Sequence, residues 1–134
     1  MNALRQAFAL LCVLWAGSLW SLAWVSSILF RESDRHLAGV LVGRLLSVET
    51  YLGVALVVVA LWLPGRRKFT WGYAAAALLA ATEWLLKPVM ARAREQGTMF
   101  GFGFGAWHGV AALLYVLACL AVVALLWKDA RVPA

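Results

Sequence analysis

The chain has 134 residues, 65% of them apolar and 13% charged, with a mean hydropathy of +0.86. This composition excludes a soluble globular domain. The formal charge of +6 sits in short segments between long apolar runs, where basic residues set membrane topology and meet anionic lipid, so no nucleic-acid partner is expected.

Four apolar runs cover residues 7–30, 38–63, 69–90 and 100–127, each longer than the ~20 helical residues needed to cross a hydrocarbon core. The first has the outline of a secretory leader, but it exceeds the ~7–15 residues of a leader's apolar core and reads as a retained span. It pairs Gly17 with Ser21 at a spacing that permits close helix contact, and carries Ser26 and Ser27 toward its far end. A charge-balanced loop follows, with Arg31 and Arg35 against Glu32 and Asp34.

The second run sets Gly39 and Gly43 one turn apart and then places Arg44 and Glu49 inside apolar sequence. These two are about 140° apart around a helix, so each needs a partner on a different neighbour. The third run repeats the small-residue spacing at Ala76 and Ala80, and holds Glu83 and Lys87 as an i,i+4 pair in the favourable order. Pro88 predicts that this helix kinks or ends there.

The fourth run opens with FGFGFGAWHG, residues 100–109. Its alternation suggests a strand, but Gly101, Gly105 and Gly109 recur every fourth residue and fall on one face of a helix, forming a packing seam beside His108. The glycines lack the spacing and preceding strand of a phosphate loop. Cys12 and Cys119 lack a C-x-x-C spacing and read as small apolar fillers.

Connections of about five to nine residues join antiparallel neighbours. The expected architecture is a single domain over residues 1–134, all-α, an integral membrane four-helix bundle running up-down-up-down. Arg5, Arg66, Arg67, Lys68, Lys128 and Arg131 lie on one side, and Arg31, Arg35, Arg92 and Arg94 on the other, six basic residues against four. This asymmetry predicts cytoplasmic termini in a bacterial inner membrane, with Trp62, Trp71 and Trp127 anchoring the cytoplasmic interface.

Ionisable residues within spans are costly and need a reason. Measured from loops one and three, Arg44 lies ~10 Å deep, Glu49 ~18 Å, Glu83 ~10 Å and Lys87 ~5 Å. His108 lies ~15 Å deep if its helix begins at Thr98 and ~6 Å if it begins at Phe104. Arg44, Glu49, Glu83, Lys87 and His108 therefore form an expected polar cluster in one half of the membrane, with His108 reaching Glu49, Glu83 or Arg44. The cluster either binds or relays a proton, ion or polar headgroup, or ties the helices together, with Lys87 snorkelling to the interface.

The segments WAGSLW, LF before the first loop, DRHLAGVLVGRLLSVETYLG and FGAWHG resemble the bacterial membrane proteins called domain of unknown function 4149, which are related to the eukaryotic transmembrane protein 205 type. Gly17, Phe30, Ala38, Gly39, Gly43, Tyr51, Trp107, His108 and Gly109 carry the matching positions, while Ser26, Ser27 and Leu46 depart from the pattern. The resemblance implies a four-span inner-membrane protein with no assigned activity. A more distant similarity to copper-resistance-D-like membrane proteins implies haem or copper, with His108 as the metal ligand. His36 is expected at or outside the membrane edge, which leaves a single-histidine site, and Met90 and Met99 flank loop three as the further copper donors.

The resulting expectations are ion, proton or small-solute handling, or partner docking, by a protein that is not an enzyme and has no catalytic residues. The alternatives are a haem or copper protein using His108, and a structural accessory subunit. Partners are the lipid bilayer and, through the glycine seams of Gly39, Gly43, Gly101, Gly105 and Gly109, a second copy or another membrane protein.

Overall fold

In the computed structural model, which describes residues 2–63 and 69–130, helix α1 spans Asn2–Glu32, α2 Arg35–Trp62, α3 Thr70–Ala81, α4 Lys87–Gln96 and α5 Phe104–Ala130, with a π-helical segment at Thr82–Leu86 joining α3 to α4. The segments Ala3–Glu32, Arg35–Trp62, Thr70–Gln96 and Phe104–Lys128 are long and apolar enough to cross a membrane. They close a ring of four: α1 packs on α2, α2 on α3, α3 on α5, and α5 back on α1. The fold is all-α, a bundle of four membrane-spanning helices. Arg66, Arg67, Lys68 and Arg131, which carry much of the expected charge asymmetry, lie outside the described residues.

Local chemistry explains the joints. Between α1 and α2, the Asp34 carboxylate accepts from the His36 and Leu37 backbone amides at 3.0 and 3.2 Å, so it caps the otherwise unpaired first turn of α2. Pro88 neither ends the third span nor leaves it a regular α-helix. A proline lacks an amide hydrogen and its ring clashes with the carbonyl four residues back, and here the ladder loosens into a wider turn in which the Lys87 amide donates to the Thr82 carbonyl. The helix then continues to Gln96, past the expected boundary at residue 90.

The glycine alternation at residues 100–109 also resolves differently from the predicted seam. Helix α5 begins only at Phe104. Ahead of it, Met99 and Phe102 exchange backbone hydrogen bonds of 2.9 and 3.1 Å around Phe100 and Gly101, whose φ values are 53° and 79°. Positive φ at both central positions is the pattern of a type I′ turn. Gly101 therefore serves a turn, and it shares no helix face with Gly105 and Gly109. Trp107 fastens this turn to α5: its indole donates to the Met99 carbonyl at 3.0 Å, and its ring meets Phe100 and Phe102 edge-on.

The core occupies the half of the bundle remote from the α1–α2 and α4–α5 connections. Trp15, Leu19, Leu56, Leu79, Val122 and Leu125 are buried there, with Cys12 and Cys119, which form no disulfide, among them, in keeping with their reading as fillers. Lipid is as apolar as these side chains, so contact shape and interhelical hydrogen bonds decide the packing. The Trp15 indole donates to the Glu49 carbonyl and the Trp20 indole to the Cys119 carbonyl, both at 3.1 Å. The Tyr115 hydroxyl donates to the Leu19 carbonyl at 2.5 Å.

Among the described glycines, Gly53 makes the close approach between helices: an added Cβ would come within 2.6 Å of the Trp15 ring. Gly17, Gly39, Gly43, Gly105 and Gly109 instead have open space where a Cβ would project, so no pair of these forms a contact seam within the chain. Accordingly, Gly53→Leu is expected to lower the detergent melting temperature by the equivalent of about 1–3 kcal/mol of overpacking, while Gly105→Leu leaves it within error. Equal losses for the two variants, read by a thermal melt of helix content, would contradict this placement.

Candidate functional site

Away from the core the four spans separate around a cavity of about 640 Å³. Every span contributes to its wall: Leu22, Ser26 and Phe30 from α1, residues of α2 from Arg35 to Ser47, Thr82 through Arg94 from the third span, and Phe104 through Tyr115 from α5. The open glycines account for part of this space, since Gly39 and Gly43 line it and neither has a neighbour within 4 Å of where a Cβ would sit.

At the cavity edge α2 and the third span are tied by a compact polar knot. Lys87 Nζ lies 2.5 Å from Glu83 Oε2 and donates to Ser47 Oγ at 2.5 Å and to the Gly43 carbonyl at 3.1 Å. The Ser47 hydroxyl is also 3.0 Å from both Glu83 carboxylate oxygens and from the Gly43 carbonyl. The lysine charge is thus matched by the glutamate, and its side chain turns inward to a neighbouring helix, where the sequence suggested snorkelling. Because the helix runs on to Gln96, Lys87 lies ~14 Å from that end, level with Arg44 measured from Arg35. Glu83 pairs with Lys87 and Ser47, and it makes no ion pair with Arg44.

Glu49 belongs to a separate, deeper site. Its side chain is buried, accepts a hydrogen bond from Ser18 Oγ, and has a second oxygen, Oε2, with no partner. It faces α1, so the expected split between Arg44 and Glu49 holds: Arg44 lines the cavity and Glu49 does not. His108 lines the cavity as well, stacked on Phe104 with ring centroids 5.8 Å apart. The Arg94 guanidinium lies over the Phe104 ring of that stack, 4.4 Å from its centroid. His108 makes no direct bond to Glu49, Glu83 or Arg44; it shares with Arg44 a cavity wall. The five predicted cluster residues therefore divide into an ion-pair knot, a buried carboxyl and two cavity-lining bases.

Sequence reasoning missed Ser18, Ser47, Trp15, Trp20, Tyr115 and Arg94. Ser47 was findable, because it stands one turn beyond Gly43 on the face that Lys87 approaches. The tryptophan and tyrosine bonds to backbone carbonyls have no sequence signal, since any helix offers such carbonyls. His36, expected at or outside the membrane edge, lines the same cavity as His108. No group of three or more His, Cys, Asp or Glu able to hold a metal ion occurs among the described residues.

The arrangement defines a polytopic all-α membrane protein with a basic cavity between its spans. The chain belongs to the family described as "Domain of unknown function (DUF4149)", whose model matches residues 10–99. The match takes in the knot, the buried carboxyl and Arg44, and stops before His108. No curated protein and no solved structure matches the chain.

The knot makes a stability prediction. Lys87→Met strands the Glu83 carboxylate in a largely buried place, where its side chain is 13% exposed, and is expected to cost at most about 3–5 kcal/mol, the range for breaking a buried pair. Lys87→Met with Glu83→Gln should recover much of that loss in a detergent melt. A double variant no better than the single one would argue that the pair is incidental.

Proposed function

We propose that this chain is a bacterial inner-membrane protein, running up-down-up-down with both termini in the cytoplasm, that binds a small solute in the cavity between its spans. The observation that carries this reading is the cavity itself. A volume of about 640 Å³ walled by all four spans falls in the range of small-molecule sites, ~300–1,000 Å³, and a bundle built only for packing would gain by closing it. The role is binding or passage of the solute, with no catalytic residues assigned.

The orientation rests on the six-to-four asymmetry of basic residues and on exposed Trp62, Trp71 and Trp127 at the end remote from the cavity, where indole rings suit a membrane interface. Lys128 lies over the Trp71 ring at 5.2 Å at that same end. A periplasm-active reporter fused after Ala134 is expected to be silent; strong periplasmic signal would reverse the orientation.

The solute reading is tested by filling the site. Ala112 lines the cavity and is exposed to it, so Ala112→Trp should occupy the space without entering the core. Native mass spectrometry of the purified chain is expected to show a bound small molecule that the variant lacks, with unchanged helix content. A wild-type chain free of any adduct, or an adduct retained by the variant, would sink the reading.

One observation favours a second reading. His36 and His108 line one cavity; these two imidazoles would hold a haem, with Arg35, Arg44 and Arg94 available to its carboxylates, and the group would supply electron-transfer chemistry there. A visible absorption spectrum of the purified chain decides it, since a Soret band lost in both His36→Ala and His108→Ala is the required result.

A further inference from the structure

The cavity wall is chemically one-sided. Apart from the Tyr115 phenol, its titratable side chains are basic, namely Arg35, Arg44, Lys87 and Arg94 with His36 and His108, and no carboxylate is among its lining residues. Lys87 is already neutralised by Glu83. Arg44 and Arg94 have no carboxylate within ion-pair distance among the described residues, and Arg94 rests on an aromatic face. Guanidinium is always charged and is shaped to grip an oxyanion through paired N–H donors. Two such groups on one cavity wall, neither matched by a carboxylate, call for an anion.

Apart from Ser26, Ser47, Thr82 and Tyr115, the rest of the wall is apolar, with Leu22, Phe30, Val40, Leu46, Met90 and Ala111 among its residues. A small hydrated anion would leave that surface unmatched. The lining follows α2 from Arg35 to Ser47, a rise of ~18 Å, long enough for an extended chain as well as a headgroup. Resting on the reading that the cavity binds a solute, we infer that the solute is an anionic amphiphile: a phosphate or carboxylate head at Arg44 and Arg94, with an alkyl chain along the apolar wall.

Selectivity must then come from the head. Transfer of an alkyl chain from lipid into an apolar cavity changes little, because the surroundings are equally greasy. A guanidinium, through its charge and its paired N–H donors, discriminates between an anion and a zwitterion or a neutral head. His108, stacked on the Phe104 ring that Arg94 also covers, adds a further polar group to the wall.

The test uses the full chain in a neutral maltoside detergent, titrated by native mass spectrometry with phosphatidylglycerol, hexadecanoate, phosphatidylcholine or inorganic phosphate. A single phosphatidylglycerol or hexadecanoate is expected to bind, at least about tenfold tighter than phosphatidylcholine, the scale of one charge-assisted contact. Whichever of the two wins identifies a phospholipid or a free fatty acid as the source. Arg44→Gln and Arg94→Gln should each weaken binding about tenfold, Arg44→Lys should weaken it less, and inorganic phosphate should neither bind detectably nor compete. Lys128→Gln, at the opposite end of the bundle, serves as the control for lipid gathered loosely around basic edges and should bind like wild type.

Equal affinity for phosphatidylcholine, full competition by inorganic phosphate, or equal losses in Lys128→Gln and Arg44→Gln would each overturn the assignment. A cavity adduct expelled by Ala112→Trp yet indifferent to Arg44→Gln and Arg94→Gln would leave solute binding standing and remove the anion. Loss of the adduct from wild type as well would remove both.

Discussion

A cation inside a membrane needs an opposite charge or a route back to water, and the way Lys87 meets this requirement organises much of the bundle. Its ammonium turns toward α2, where Glu83, the Ser47 hydroxyl and the Gly43 carbonyl surround it. The amine can reach a backbone carbonyl on α2 because the wall beside it is glycine, with no side chain in the way. One interaction thereby fixes the height of the third span against the second and consumes the negative charge that would otherwise be available to the guanidiniums nearby. The basic character of the cavity follows from that expenditure.

The bundle is accordingly two structures end to end. In one half, Trp15 wedges against Gly53 and anchors its indole on the Glu49 carbonyl, and small residues such as Ala75, Ala118 and Ala121 let the helices close. In the other half the glycines face emptiness and the helices stand apart. The same residue type performs opposite tasks in the two halves: a missing side chain admits a tryptophan in one and leaves a void in the other. Glycine spacing alone does not distinguish them, because what matters is the size of the partner opposite.

This is also where the sequence was readable and where it was not. Hydropathy revealed four membrane spans, since apolar length is a property of the chain itself. Of the expected cluster, Arg44, Lys87 and His108 line the cavity and the i,i+4 pair of Glu83 and Lys87 formed, but Glu49 lies apart from them, against α1 beside the core. The partners across helices were misassigned because depth was counted from a helix end at residue 90, and the span continues to Gln96. The seam at Gly101, Gly105 and Gly109 failed because a period of four does not reveal where the helix starts. Gly101 lies three residues outside α5, in a turn that needs positive φ. The cavity left no sequence signal, since it is defined by what the side chains fail to fill.

The widened turn at Thr82–Leu86 has a consequence for azimuth. A regular α-helix advances about 100° per residue, and a turn bonded to the fifth preceding residue accommodates one residue more than an α-turn does. Everything after it is therefore set back by roughly one residue's rotation relative to a continuous α-helix. Leu79, before the turn, faces the core, and Met90 and Arg94, after it, face the cavity. The proline beside the turn thus works as a phase shifter: it lets one uninterrupted span present one face to a tight bundle and a rotated face to an open one.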